Sequence, residues 1–192
     1  MADDELIRDP KALRALAHPF RWKLIEVLSS EGPCTATRCA ELTGESVASC
    51  SYHLNMLAKY GFVEEVTGKG RQKPWRLTRK EQSWSSLELD QEGVLAAEAA
   101  SDALLEHEFA TMRRYFRRKQ LEPVEWREVV GIDATMNFLT AEEAAEALAE
   151  IRAVLHRHAD RRDTDNRPEG SRAIRFFLST TVLPDNGRPD NS

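Results

Sequence analysis

Long apolar runs are absent from this chain. No stretch approaches the ~20 residues that a helix needs to span a bilayer, so no membrane contact is expected. The N-terminus, Met-Ala-Asp-Asp-Glu-Leu, is acidic and lacks the basic region and apolar segment of a secretory leader. The expected location is therefore the cytoplasm. Cysteine is scarce: Cys34, Cys39 and Cys50 are the three present. Three is an odd number at no disulfide-framework spacing, and such thiols in a cytosolic chain are expected to be reduced. Signatures of catalysis are missing as well. There is no phosphate-binding glycine loop, no metalloprotease histidine pair and no nucleophile elbow, and the carboxylates are scattered. The expectation is a protein that is not an enzyme and needs no cofactor.

What the chain has is length and charge. Its 192 residues suffice for one domain or two small ones, and 41% apolar residues suffice for a core. The formal charge of −5 argues against non-specific attraction to nucleic acid, but the charge is unevenly spread. Residues 1–81 carry 13 Lys and Arg against 11 Asp and Glu; residues 82–192 carry 14 against 21. The positive excess lies in the first half.

That half reads as a succession of short helices. Residues 1–8 look like a loose acidic tail. Asp9-Pro10 is a cap followed by proline at the first helical position. His18-Pro19 ends that helix, because the residue before proline is driven out of the helical region. Phe20, Leu24, Ile25 and Leu28 give the next helix a core face, and Glu31-Gly32-Pro33 stops it. A third helix is expected over about Thr35 to Leu42. Thr43-Gly44-Glu45 supplies a sharp turn, and Ser46 is a suitable N-cap for a fourth helix. There Cys50, Leu54 and Leu57 share an inward face. Ser46, Val47, Ala48, Ser49, Ser51 and Tyr52 are small or hydrogen-bonding and suit close approach to base edges. Gly61 is placed to close the helix in the left-handed conformation. Phe62 to Val66 and Arg71 to Thr78 then read as two strands around a Gly68-Lys69-Gly70 turn, with Pro74 implying an edge. Lys69, Arg71, Lys73, Arg76, Arg79 and Lys80 concentrate six cations there. Helix, turn, helix and basic hairpin together suit binding of double-stranded DNA.

The segment from Leu13 to Thr78 resembles the ArsR-type winged helix-turn-helix family of bacterial transcription regulators. The matching stretches are Ala-Leu-Ala-His-Pro-Phe-Arg-Trp-Lys-Leu-Ile, Ser-Tyr-His-Leu-Asn-Met-Leu-Ala-Lys-Tyr-Gly-Phe-Val and Gly-Lys-Gly-Arg-Gln-Lys-Pro-Trp-Arg-Leu-Thr, and the whole segment covers about a third of the chain. The resemblance implies homodimers on operator DNA, usually repressors released by an effector. It also implies DNA-facing roles for Ser46, Val47, Ala48, Ser49, Ser51, Tyr52 and His53, and for Arg71 in the wing; Lys69 and Lys73 are expected to join it on the phosphates. The rival expectation is a ligand-binding or protein-interaction module on the same scaffold.

The second half departs from short members of that family. Glu81 to Leu89 reads as a linker, and a long helix is expected from about Asp90 to Gln120. Leu105, Phe109, Met112 and Phe116 form a seam along it that suits dimerisation. The basic run Arg113 to Lys119 reads as a solvated helix end, where cations suit the dipole. Residues 124–183 read as strand, helix, strand. Trp126, Val130, Ile132, Met136 and Phe138 alternate; Thr140 and Glu143 make a capping box; Ile174, Phe176, Leu178 and Val182 mark the last strand. Trp126, Met136, Phe138, Phe176 and Phe177 are expected to form an ordinary core, with an effector pocket as the alternative. No thiolate metal site is expected, since the third helix has Cys39 without a close partner. Asp102, His107 and Glu108 read as surface residues rather than ligands. The fold class is thus mainly α with small β. A winged helix-turn-helix domain spans 9–80 and a long helix 90–120. A strand-helix-strand region spans 124–183, with flexible tails at 1–8 and 184–192.

Overall fold

Helices dominate the computed structural model, which describes residues 6–67, 73–79 and 81–184. In order come α1 (Pro10–Leu16), α2 (Pro19–Glu31), α3 (Ala36–Thr43), α4 (Val47–Lys59), β1 (Val63–Glu65), β2 (Trp75–Leu77), α5 (Gln91–Arg118), α6 (Val124–Val129) and α7 (Ala141–His156). The class is mainly α with one small sheet, and the first half is a helix-turn-helix followed by a hairpin.

The local signals in the sequence act as expected. Asp9 caps α1 by accepting from Lys11 N, with Pro10 at the first helical position. His18 caps α2, its Nδ1 accepting from Phe20 N at 3.3 Å. Gly44 ends α3 at φ 77° and Gly61 follows α4 at φ 72°, a region open to glycine at little cost. β1 pairs antiparallel with β2, Val63 opposite Leu77 and Glu65 opposite Trp75. A third segment, not foreseen, joins this sheet: Cys34 N donates to Trp75 O at 2.9 Å, and Trp75 N donates to Cys34 O at 2.8 Å. The loop before α3 thus anchors the hairpin.

One apolar core holds these elements. Leu13, Leu16, Leu24, Leu54, Leu57, Phe62 and Val63 are almost fully buried in it, and Ala96, Ala97, Ala100 and Ala103 bring the first half of α5 against it. Small alanines let α5 lie close to α1 and α2. Two α2 side chains also cap the end of α1: Arg21 Nη1 donates to Ala15 O at 2.6 Å, and Trp22 Nε1 to Leu16 O at 2.7 Å.

Three expectations are corrected here. Residues 6–8 are not a loose tail: Ile7 is buried, its N–H donates to Ser83 O at 2.9 Å, and Arg8 pairs with Glu88 at 2.7 Å. The 81–89 stretch is not a slack linker, because Trp84 packs on Trp22 and its Nε1 donates to Ser101 Oγ at 3.1 Å. The strands expected within 124–139 and 172–183 do not form. Val124–Val129 is a short helix, and residues 130–139 and 171–184 have no regular structure. The alternation was real, but a strand needs a partner ladder, and within this chain the two stretches do not pair. The helix between them does form, with Thr140 and Glu143 closing both halves of the capping box. Expectations for residues 1–5 and 185–192 lie outside the described residues.

The aromatic residues of the last third do not make the expected core. Met136 is 64% exposed, Phe138 96% and Phe176 68%, and α6 and α7 bury no residue. This region is tied to α5 by polar contacts instead. Arg175 binds Glu108 with both Nε and Nη2, and Glu108 is 1% exposed. Arg172 pairs with Glu122 at 2.9 Å and lies over the Trp126 ring.

Candidate nucleic-acid interface

The site is built on α4. Ser46 Oγ accepts from Ser49 N at 3.1 Å, which starts the helix just after the Gly44 turn. Cys50, Leu54 and Leu57 are fully buried and fix the helix on α2 and α3. The opposite face is consequently turned outward. Ser46 and Ala48 are exposed, Val47 is 45% and Tyr52 59% exposed, and Ser49 and Ser51 are half-buried. No other described segment of the chain covers them. Asn55 and Lys59 prolong this face by helical spacing and are exposed too. The sequence reading stopped at His53 and missed them, although their positions seven and eleven residues after Ala48 were signal enough.

His53 is corrected. It is buried, at 9% exposure, and faces the α2 side of the helix. Its ring lies 4.4 Å from that of His18 and 5.1 Å from that of Phe20 (centroid distances), and Nδ1 has no hydrogen-bond partner among the described residues. Burial, then the nearby His18 and Arg21, hold its pKa below the usual histidine range. His18 is lowered in the same way, by burial and then Arg21. A neutral His53 under α4 supports the helix rather than reading a base.

The hairpin carries a second correction. Of its six cations, Lys69, Arg71 and Lys80 lie outside the described residues. Lys73 Nζ sits 2.6 Å from Glu65 Oε2, and Arg76 Nε 2.7 Å from Glu64 Oε1. Lys73, just before β2, and Arg76 within it are thus each matched by a carboxylate of β1, a cross-strand pairing that engages two of the six cations the sequence suggested.

The cysteines are buried. Burial raises the thiol pKa of Cys34, raises that of Cys39 to about 12, and raises that of Cys50. All three thiols are core side chains. The three acidic or imidazole groups considered as ligands on α5 do not converge: His107 Nε2 bonds Glu26 at 3.0 Å, Glu108 is held by Arg175, and Asp102 is exposed. His107 and Glu108 are largely buried, contrary to expectation.

The seam expected for dimerisation is partly open. Phe109 is 47% exposed, while Leu105, Met112 and Phe116 are half-buried. Phe109, Met112, Phe116 and Ile132 line a wide apolar cleft of about 610 Å³.

Comparison with known proteins agrees with the first half of this geometry. Residues 16–66 match the family described as "Helix-turn-helix domain". The match runs from the end of α1 to just past β1 and includes all of α3, the turn and α4. No curated protein matches the chain. Among solved structures, a variant of the Lactococcus lactis protein ZitR is similar at 18% identity, covering 81% of this chain and 79% of its own. Its TM-score is 0.28, so that likeness carries no weight for fold or function. No helix among the described residues is long and apolar enough to cross a membrane.

Proposed function

We propose that this chain is a sequence-specific DNA-binding transcription regulator that acts as a homodimer, with α4 entering the major groove and the hairpin meeting the phosphate backbone. One observation carries the reading: the face of α4 that begins at Ser46 is exposed at Ser46, Val47, Ala48, Tyr52, Asn55 and Lys59, on a helix whose other face is locked in the core. Small side chains at its start permit close approach, and Ser51, Tyr52, Asn55 and Lys59 offer donors and acceptors. The helix-turn-helix match over residues 16–66 supports it. Lys69 and Arg71 remain the proposed phosphate contacts of the hairpin, and the open seam at Phe109 is the proposed start of the dimer interface. The resemblance stated above favours repression over activation.

The test is selection of bound sequences from random duplex DNA. A regulator of this kind returns a palindrome with half-sites about 34 Å apart or a multiple of it. Tyr52→Ala should then weaken binding to the selected site by about tenfold, for one lost base-edge contact of ~1–3 kcal/mol, with unchanged circular dichroism. An unaltered affinity for both Tyr52→Ala and Val47→Glu would remove α4 from the interface.

A further inference from the structure

A cleft of about 250 Å³ opens between the first turns of α2 and the second half of α5. Its apolar side is made by Pro19, Phe20 and Ala110, and its polar side by Lys23, Thr111 and Arg114. Neither cation has a carboxylate within salt-bridge distance among the described residues. Lys23 Nζ donates to Thr43 O at 2.6 Å, and Arg114 Nη2 to Thr111 Oγ1 at 3.1 Å. An ammonium has three protons and a guanidinium five, so each has donors left over. The N-terminal end of α2, the positive end of its dipole, lies at the same place. Glu106 is the opposing charge on the lining; it is exposed and leaves a net charge of about one positive across the three groups. Glu26, just behind, is engaged by His107 at 3.0 Å, and its carboxylate also feels the charge of Arg114 without bonding to it, so Arg114 keeps its spare donors but part of its charge is already balanced.

We infer that this cleft is a binding site for a small organic monoanion, an aromatic or alicyclic carboxylate of about one ring. The apolar wall takes the ring, and the spare donors of Lys23 and Arg114 take the carboxylate. Size sets the limit, since the volume lies below the roughly 300–1,000 Å³ of sites for larger ligands. Charge sets the other limit, since Glu106 disfavours a second negative group. The site touches the DNA-reading unit through one residue. Lys23 holds the carbonyl that ends α3, immediately before the Gly44 turn into α4. An occupant that draws on Lys23 therefore acts on the support of the proposed reading helix, a consequence that rests on the reading above; the binding itself does not.

Titration calorimetry of the full chain with benzoate, in the absence of DNA, tests the site, with benzamide as the uncharged control. Benzoate should bind saturably and benzamide should not. Arg114→Gln should weaken benzoate by ~10-fold, the loss of one charge-assisted bond, and Glu106→Gln should tighten it. Arg114 and Glu106 are both exposed, so neither exchange threatens the fold. Equal affinity for benzamide, no saturable binding at millimolar benzoate, or an Arg114→Gln variant that binds as the parent does would each overturn the assignment, whatever the outcome for DNA.

Discussion

At the scale of single residues, His53 shows how burial changes a role. Helical spacing placed it beside Tyr52, yet one residue is a turn of 100° on a helix, enough to carry it from the solvent side to the core. There it meets His18 and Arg21, and all three disfavour a further positive charge. Tyr52, Phe20 and Glu45 also face it, and of these Glu45 favours the charged form. The sign of the pH effect follows. Both histidines have folded pKa values below the unfolded value of about 6.5, so the unfolded chain takes up protons first. Stability is full above about pH 6.5 and falls as pH drops toward the folded values. Glu26, Glu81 and Glu143, whose pKa values are lowered, lose their contribution only below the ordinary carboxylate range. Between about pH 6.5 and 5 the histidines therefore dominate. Melting curves across that window should show a falling midpoint, and His53→Phe should flatten the slope; a parent protein with no slope there contradicts the assignment.

At the scale of elements, the caps Asp9, Ser46 and Thr140 and the turns at Gly44 and Gly61 were legible, while the capping roles of His18 and Asp90 were not read. Asp9, His18, Ser46, Asp90 and Thr140 each cap a helix through their own side chain, and Gly44 and Gly61 take positive φ. These are contacts over two to four residues, so they are written in local sequence. The hairpin was legible in position but not in charge. Lys73 and Arg76 gave cations; only the pairing of the strands, which sets Glu64 opposite Arg76 and brings Glu65 within 2.6 Å of Lys73, shows which acids meet them. This predicts an effect opposite to the usual expectation of losing a surface ion pair. Exposed pairs of this kind contribute only about 0–1 kcal/mol to stability, so Glu65→Gln should leave the melting midpoint nearly unchanged. It should nevertheless tighten DNA binding and steepen the log–log salt dependence by about one unit as Lys73 becomes free for a phosphate. Salt titrations of duplex binding decide this, and weaker binding by Glu65→Gln contradicts it.

At the scale of the whole molecule, the two halves are built differently. Among the described residues, side chains from Ile7 to Ala103, drawn from α1, α2, α3, α4 and α5, are buried together in one core. Beyond α5, no residue of α6 or α7 is buried, and Leu121, Val129, Ile132, Phe138, Phe176 and Val182 are each at least 68% exposed. A region with that much apolar surface in water has little to offset its chain entropy. The proposed homodimer would offer this surface, to which Ile132 of the cleft belongs, a partner to cover it. Amide exchange in residues 124–184 should then slow as protein concentration rises through the dimer dissociation constant, while exchange in α2 and α4 stays unchanged. Phe138→Ser should shift sedimentation toward the monomer. Exchange in 124–184 that is independent of concentration would argue against mutual burial.

Sequence alone determined the helix-turn-helix, its caps and its turns, because these depend on the backbone preferences of residues a few positions apart. It determined the capped helix at Thr140 for the same reason. Tertiary structure decided which side of α4 His53 occupies, which carboxylates neutralise Lys73 and Arg76, and that Ile7 and Trp84 are packed down rather than loose. It also decided that the alternating stretches near Trp126 and Ile174 form no ladder within one chain. Each of these depends on a partner distant in sequence, and a periodic pattern states only that a face is apolar, not what will cover it.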